Sequence, residues 1–212
     1  MAYKILIADD HSVVRHGTRL IIEETFPEVK VYEAGSIKQM TQILKGDVFD
    51  LLILDINMPG GNSIHMLDLA KQKQHDLKIL VFSAYDEKLY ASRYLQAGAS
   101  GYLHKHSSEN LLQEAIVAVL ETGHYVTQSL KEHIFNSLIN KDDTNKNPIS
   151  LLSNREIEVA ELLVQGLGGV EISDKLNIQT TTVSSHKKKI FEKLHITNLP
   201  ELIEKFRQYS LS

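Results

Sequence analysis

The stretch LLILDINMPGG, residues 51–61, decides how the rest of the chain is read. Its apolar run, LLILD at 51–55, has the length and composition of a strand buried on both faces. The run ends on a carboxylate, Asp55, and the chain then turns through Met58-Pro59-Gly60-Gly61. A charge at the end of a buried strand is costly to desolvate. The ends of the neighbouring strands supply the reason for it.

Four more short runs read as strands: KILIA (4–8), VYEAG (31–35), KILVFSA (78–84) and GYLHK (101–105). Helical spacing fills the gaps, over Val13–Glu24, Ile37–Lys45, about 63–73, Glu87–Ala97 and about Ser108–Thr122. Five strands alternating with five helices predict an α/β fold, a doubly wound five-stranded parallel sheet with helices on both faces. Function in such sheets lies at the carboxyl ends of the strands.

Those ends carry a set of chemistry-bearing side chains. The first strand delivers Asp9 and Asp10, the third Asp55, the fourth Ser83 and the fifth Lys105. Three carboxylates in one crevice repel each other and call for a cation. An all-oxygen set of few ligands suits Mg2+. A cation there lets a phosphoryl group approach, and a lysine and a serine can each hold one of its oxygens. Asp55 is then a nucleophile that accepts a phosphoryl group as an acyl phosphate.

With these residues in view, the first ~122 residues resemble the receiver domain of a response regulator. The resemblance rests on Asp9-Asp10, Asp55 in DINMPG, Ser83 in FSA, and Tyr102 and Lys105 in GYLHK. It implies that Asp55 is the phosphoacceptor. It implies that Asp9, Asp10 and Asp55 ligate Mg2+ together with the backbone carbonyl of Asn57, and that Lys105 contacts the phosphoryl group. Ser83 and Tyr102 become the switch pair, and the phosphodonor a sensor histidine kinase. Asn57, two residues past the acceptor, lies where it can tune hydrolysis.

After about Tyr125 the pattern changes. TQSLKEHIFNSLI has the spacing of one more helix, and NKDDTNKNP reads as a polar linker. Beyond Ser150 no strand signal remains. SNREIEVAELLVQG opens with Ser153 and Glu156 at capping-box spacing. VEISDKL (170–176), a turn at Asn177-Ile178-Gln179, a long helix over about Thr180–Leu194 and a last helix opened by Pro200 complete a four-helix unit. In the long helix Val183, His186, Ile190 and Leu194 share one stripe and face inward. Lys187, Lys188, Lys189 and Lys193 make it locally basic. A short helix, a tight turn and a polar-faced helix fit a helix-turn-helix whose second helix enters the major groove.

This second half resembles the LuxR-type helix-turn-helix of the NarL/FixJ response regulators, over about Leu152–Phe206. DDHSVVRHG and SAYDEKLYASRYLQAGASGYLHK resemble the same group. The expected parts are a receiver at 1–122, a partly helical linker at 123–148 and a DNA-binding domain at 149–212. Ser184, Ser185 and Lys188 are expected to face bases, with Thr182, Lys187 and Lys189 near phosphates. The resemblance implies double-stranded DNA as a partner and a homodimer in the active state. Leu202, Ile203 and Phe206 either form a dimer surface or pack inside the bundle.

The chain departs from the family pattern in four places. Gly168-Gly169-Val170 replaces a Ser-Asn-Lys type of sequence, Ser184 replaces a lysine, Gln179 replaces a capping serine, and TNLPELIEKF replaces an Asn-Arg-x-Glu ending. Losing phosphate contacts should flatten the salt dependence of binding.

Composition sets the remaining bounds. The chain has 212 residues, no cysteine and a net charge of −4. That excludes a disulfide scaffold and cysteine-based zinc sites. Residues 151–212 hold 8 basic and 8 acidic residues, so the −4 belongs to residues 1–150. DNA binding must therefore rest on a local patch. No apolar run approaches the ~18 residues that span a membrane, and MAYKILIADD turns acidic too soon for a signal peptide. A soluble, cytoplasmic protein is expected. His104 and His106 flank Lys105 without a third ligand and are read as surface residues.

Two further readings stay open. A phosphatase or phosphotransferase would use Asp55 as nucleophile, but its second acid is missing: position 57 is Asn. The chain is therefore read as no enzyme. Alternatively, a receiver could signal through protein contacts, with a helical domain that no longer binds DNA usefully.

Overall fold

In the computed structural model, residues 3–58, 63–139 and 148–210 are described. The Pro59-Gly60-Gly61 turn and most of the expected polar linker, 140–147, lie outside them. The chain divides into two compact units, Met1–Phe135 and Asn136–Ser212.

The first unit alternates β1 (Lys4–Ala8), α1 (Ser12–Thr25), β2 (Lys30–Ala34), α2 (Ile37–Gly46), β3 (Leu51–Leu54), α3 (Ser63–Lys73), β4 (Lys78–Ser83), α4 (Glu87–Gln96), β5 (Gly101–His104) and α5 (Glu109–Thr122). All pairs are parallel and the strand order is β2-β1-β3-β4-β5. Every residue of β3 is buried, as its unbroken apolar run requires. Right-handed crossovers put α1 and α5 on one face and α2, α3 and α4 on the other. Ile5, Ile7, Ile53, Leu80 and Phe82 meet Ile22 of α1 and Ile116 and Val119 of α5 in one core.

Local chemistry fixes the ends. Ser36 caps α2 through the Gln39 N–H, Asp86 caps α4 through Lys88 and Leu89, and Ser108 caps α5 through Leu111. Gly123, at φ 88°, closes α5 in the left-handed region.

The first unit does not end at Thr122. Tyr125 adds a parallel bridge beside Gly101, and its N–H donates to the Ser100 carbonyl (2.9 Å). Helix α6 (Gln128–Ile139) follows. Thr127 donates to Glu87 Oε1 (2.5 Å), and Leu130 is fully covered. The edge of β5 and the start of α4 thus offer partners that a strand-helix count does not reveal.

The second unit holds a 3-10 turn (Pro148–Leu151), α7 (Asn154–Val164), α8 (Gly169–Leu176), α9 (Thr180–Leu194) and α10 (Leu199–Ser210). The capping box expected at Ser153 and Glu156 is formed in both directions. Asn177 and His195 end α8 and α9 at positive φ (50° and 52°). Ile157, Ala160, Ile172, Val183, Ile190, Leu194, Leu202 and Phe206 form the core. Leu202 and Phe206 therefore pack inside the bundle rather than offering a dimer surface. Asn198 Oδ1 accepts the Glu201 N–H (3.0 Å) and so starts α10 just before Leu199-Pro200.

Candidate functional site

The strand order reverses between β1 and β3, whose following helices leave in opposite senses. That opens a crevice at their carboxyl ends. Asp9 and Asp55 stand there, each only 2 % exposed, while Asp10 is exposed. The Asp55 N–H donates to the Ala8 carbonyl (2.8 Å), locking the two strand ends in register. From the end of β5, the Lys105 ammonium donates to Asp9 Oδ2 (2.6 Å) and Asp55 Oδ2 (2.7 Å). Its long side chain crosses the end of β4 to do so. Asp55 Oδ1 accepts the N–H of Asn57 (3.0 Å).

Burial pushes the Asp55 carboxyl above its ordinary range, and Lys105 and the Asn57 N–H only partly oppose this. Burial alone would lower Lys105, but its bonds to Asp55 and Asp9 outweigh that and hold it above its usual value. Ligand atoms of Asp9, Asp10, His11 and Asp55 all lie within 4.8 Å of one another. Three carboxylates against one ammonium leave the crevice negative. Its donor set is oxygen-rich, as a hard divalent cation requires. His11 Nδ1 sits 3.1 Å from both Asp9 Oδ1 and Asp10 Oδ1.

Ser83 ends β4, and Tyr102 is the second residue of β5, in register with Val81; both are 0 % exposed. The Tyr102 hydroxyl donates to the Tyr85 carbonyl (2.9 Å), and burial drives its phenol far above the usual range. The Tyr85 N–H donates to Ser83 Oγ (3.2 Å) and the Tyr85 hydroxyl to Asn57 Oδ1 (2.7 Å). Tyr85 thereby joins the switch pair to the loop after Asp55. Sequence reasoning missed Tyr85, and likewise His11 and Arg15. A loop tyrosine two residues past a serine carries no signal until the β4–α4 connection is folded. His104 Nε2 lies 2.9 Å from the Ala84 carbonyl, its ring 5.0 Å from that of His106. Neither belongs to a metal-ligating group among the described residues.

In the second unit, α8 and α9 are joined by Asn177-Ile178-Gln179, with Ser173 Oγ donating to the Ile178 carbonyl (2.7 Å). Val183 and Ile190 face the core, and His186 turns inward with its Nδ1 buried. Ser184, Ser185, Lys187, Lys188 and Lys189 are exposed, and Thr182 is half-buried. The Ser184 and Ser185 hydroxyls donate back to Thr180 (3.1 Å) and Thr181 (2.9 Å), leaving their oxygens to accept from outside. Lys187 lies over the Phe191 ring (5.5 Å), and Lys188 is 3.8 Å from Glu192. Gln179 gives α9 no side-chain cap. At the start of α8, Glu171 accepts the Gly168 N–H (2.7 Å), and Val170 is 65 % exposed.

Comparison with known proteins matches a family to each of the two units. The response regulator receiver domain family matches residues 5–117, and the luxR family of bacterial regulatory proteins matches residues 150–206. The oxygen regulatory protein NreC of Staphylococcus epidermidis is 34 % identical over 208 residues, covering 95 % of each chain. The Fimbriae Z protein of Escherichia coli is 31 % identical over 207 residues, covering 98 % of this chain and 97 % of its own. RcsB from Salmonella enterica serovar Typhimurium, solved bound to promoter rprA with the phosphomimetic BeF3-, superposes with a TM-score of 0.63 at 26 % identity. That match covers 97 % of this chain and 98 % of RcsB. No described helix is long and apolar enough to cross a membrane. The chain belongs to the NarL/FixJ response regulators: it is a DNA-binding transcription regulator of a two-component system, with a receiver and a LuxR-type helix-turn-helix, and not an enzyme.

Proposed function

We propose that Asp55 is the phosphoacceptor and that its phosphorylation by a sensor histidine kinase controls DNA binding by α9. The observation that carries this is the Lys105 ammonium bridging Asp9 and buried Asp55 at the reversal of the sheet. Asp55 attacks the phosphorus of the kinase's phosphohistidine. The N–P bond breaks as the O–P bond to Asp55 forms. Lys105 shifts its donation toward the incoming phosphoryl oxygens. Asp9, Asp10, Asp55 and the Asn57 carbonyl would hold Mg2+, whose charge when bound offsets the repulsion among the carboxylates and the phosphoryl group. The new charge of about −1.5 to −2 then draws the Ser83 hydroxyl. Ser83 touches Tyr85, which also holds Tyr102 and Asn57, so the β4–α4 loop responds as a unit.

On DNA, Lys188, Ser184 and Ser185 face bases, while Thr182, Lys187 and Lys189 approach phosphates. The two serine oxygens are free to accept, which suits the amino groups of cytosine or adenine in the major groove. The active form is a homodimer on a two-fold site, and the protein acts in the cytoplasm, where its DNA is. The parts we assign are a receiver at 1–122, a partly helical linker at 123–148 whose first residues, Tyr125 to Leu130, pack on the first unit, and a DNA-binding domain at 149–212.

One observation favours a second reading, in which the helical unit acts through protein contacts. Glu171 takes the free N–H at the start of α8, beside the exposed Val170, where a phosphate contact would otherwise form. Selection from genomic DNA in vitro, with and without beryllofluoride and Mg2+ and with Asp55→Ala as control, separates the two. Enrichment of a two-fold symmetric site, strengthened by beryllofluoride only when Asp55 is present, is expected. No enrichment in any state, with beryllofluoride binding intact, overturns DNA control in favour of a protein partner.

A further inference from the structure

We infer that Arg15 is the positioning residue of the acid crevice: its guanidinium fixes the Asp9–Asp10 peptide and so places the Asp10 carboxylate beside Asp9 and Asp55. The inference rests on reading that crevice as a divalent-cation site.

The need for such a residue follows from the backbone. The last ladder bond of β1 is donated by Asp9 itself, from its N–H to the Ala34 carbonyl (3.1 Å). Beyond it the chain leaves the sheet, and a carbonyl that faces out of the ladder needs another partner. The Asp9 carbonyl finds one in Arg15 Nη1 at 2.6 Å. That carbonyl belongs to the peptide joining Asp9 to Asp10. A peptide is planar, so holding its oxygen fixes the plane and the starting point of Asp10. Asp10 is exposed and has no burial to place it.

Arg15 is suited to this task in three ways. It stands in the first turn of α1, and its own N–H donates to the His11 carbonyl (3.1 Å). One residue therefore binds the carbonyls on both sides of Asp10. Its Nε donates to Glu33 Oε2 (3.2 Å), while Arg19 Nε donates to Glu33 Oε1 (2.6 Å). Glu33 is thus clamped between two guanidiniums and holds Arg15 from β2. Finally, the Arg15 side chain is only 17 % exposed, which narrows its choice of rotamers. A planar fork can serve the Asp9 carbonyl and Glu33 at once, whereas a lysine ammonium has no such geometry.

The test uses the full chain with Arg15→Met and Arg15→Lys. In chelator, exchange of the His11 amide, which donates to Asp9 Oδ1 (2.7 Å), should quicken about tenfold in both variants. Amides inside β1 should be unchanged. By calorimetric titration with Mg2+ alone, both variants should bind at least about tenfold more weakly than the parent chain. Glu33→Gln, which leaves the Asp9 bond in place, should fall between, and keeps the test open if Arg15→Met does not fold. Unchanged His11 exchange in the Arg15 variants overturns the inference. So does full Mg2+ affinity in Arg15→Lys, which would make Arg15 a mere nearby charge. If the parent chain binds no Mg2+ while His11 exchange still responds, the cation reading fails and the positioning role stands.

Discussion

Replacing Asp55 by Asn should make the receiver unit more stable in metal-free buffer, even though it removes the proposed phosphoacceptor. In the crevice Asp55 lies within 4.8 Å of the Asp9 and Asp10 ligand atoms. At an effective dielectric of ~20, each such pair repels by about 3.5 kcal/mol, so Asn relieves about 7 kcal/mol. It also forfeits the attraction to Lys105 at 2.7 Å, about 6 kcal/mol on the same scale. The two nearly cancel. What decides the sign is desolvation, because Asp55 is only 2 % exposed and a buried carboxylate costs several kcal/mol. The amide keeps the shape, and its oxygen can still accept the Asn57 N–H. After the lost charge-assisted bond is subtracted, a gain of about 1 to 2 kcal/mol is expected, typical of relieving a functional site.

Mg2+ should reverse the ranking. At a concentration 100-fold above its Kd, a cation stabilises its site by about 2.7 kcal/mol, and the variant, lacking a ligand, gains less. Urea unfolding followed by tyrosine fluorescence is the assay. The chain has no tryptophan, and of its 8 tyrosines all but Tyr209 fall within Met1–Phe135. Equal or lower stability of Asp55→Asn in chelator would refute the reasoning, because it would mean that Lys105 fully compensates the cluster.

Gly101→Ala would place a Cβ 2.9 Å from the Tyr125 carbonyl oxygen and 3.0 Å from Leu80 Cδ1, so the Tyr125 segment must shift. A loss of about 1 to 3 kcal/mol in the same unfolding assay is expected, with faster amide exchange at Tyr125. In the second unit Glu156 Oε2 accepts from both Ser153 N–H and Lys193 Nζ at 2.7 Å, so Glu156→Gln should cost about 1 to 2 kcal/mol in helix-monitored urea unfolding. Burial alone would raise the Glu156 carboxyl, but Lys193 and Ser153 hold it below its ordinary value. Its stabilisation is therefore full above the unfolded value and is lost as pH falls through the depressed folded one, a dependence the Gln variant should lack. Lys188→Ala should weaken DNA binding and reduce the slope of log affinity against log salt by about 1 if Lys188 meets a phosphate. A changed base preference at one position with an unchanged slope is expected instead if it faces a base, as proposed.

The receiver was legible because its signals are periodic and local. Five apolar runs bounded by polar turns leave little choice of fold, and parallel strands place their carboxyl ends together whatever lies between them. Asp9, Asp10, Asp55, Ser83 and Lys105 are therefore gathered by the strand pattern alone. What could not be read is the layer that holds them. Arg15 looks like an ordinary charged residue on an amphipathic helix, and Glu33 an ordinary strand residue. The Arg15–Glu33 ion pair and the bond from Arg15 to the Asp9 carbonyl depend on the rotation of α1 over β1 and β2, which periodicity does not define to an ångström. Tyr85 was hidden for the same reason, since Ser83, Tyr102 and Asn57 are 2, 17 and 28 residues away from it in sequence.

The extension of the first unit past Thr122 was hidden for a different reason. Thr127 and Tyr125 belong to no strong pattern, and their partners are an edge strand and the first turn of a helix. Edges accept any nearby backbone, so pairing there follows from the path of the chain and not from residue type. In the second unit the stripe of Val183, Ile190 and Leu194 fixed the inner face of α9 correctly, and with it the outer one. Yet the same reasoning was silent on Leu202 and Phe206, whose spacing suits a dimer surface and a core equally. The presence of α7 and the Pro148–Leu151 turn against α10 settles that they are covered. Pattern thus identifies which face is apolar, and the count of helices within reach decides what buries it.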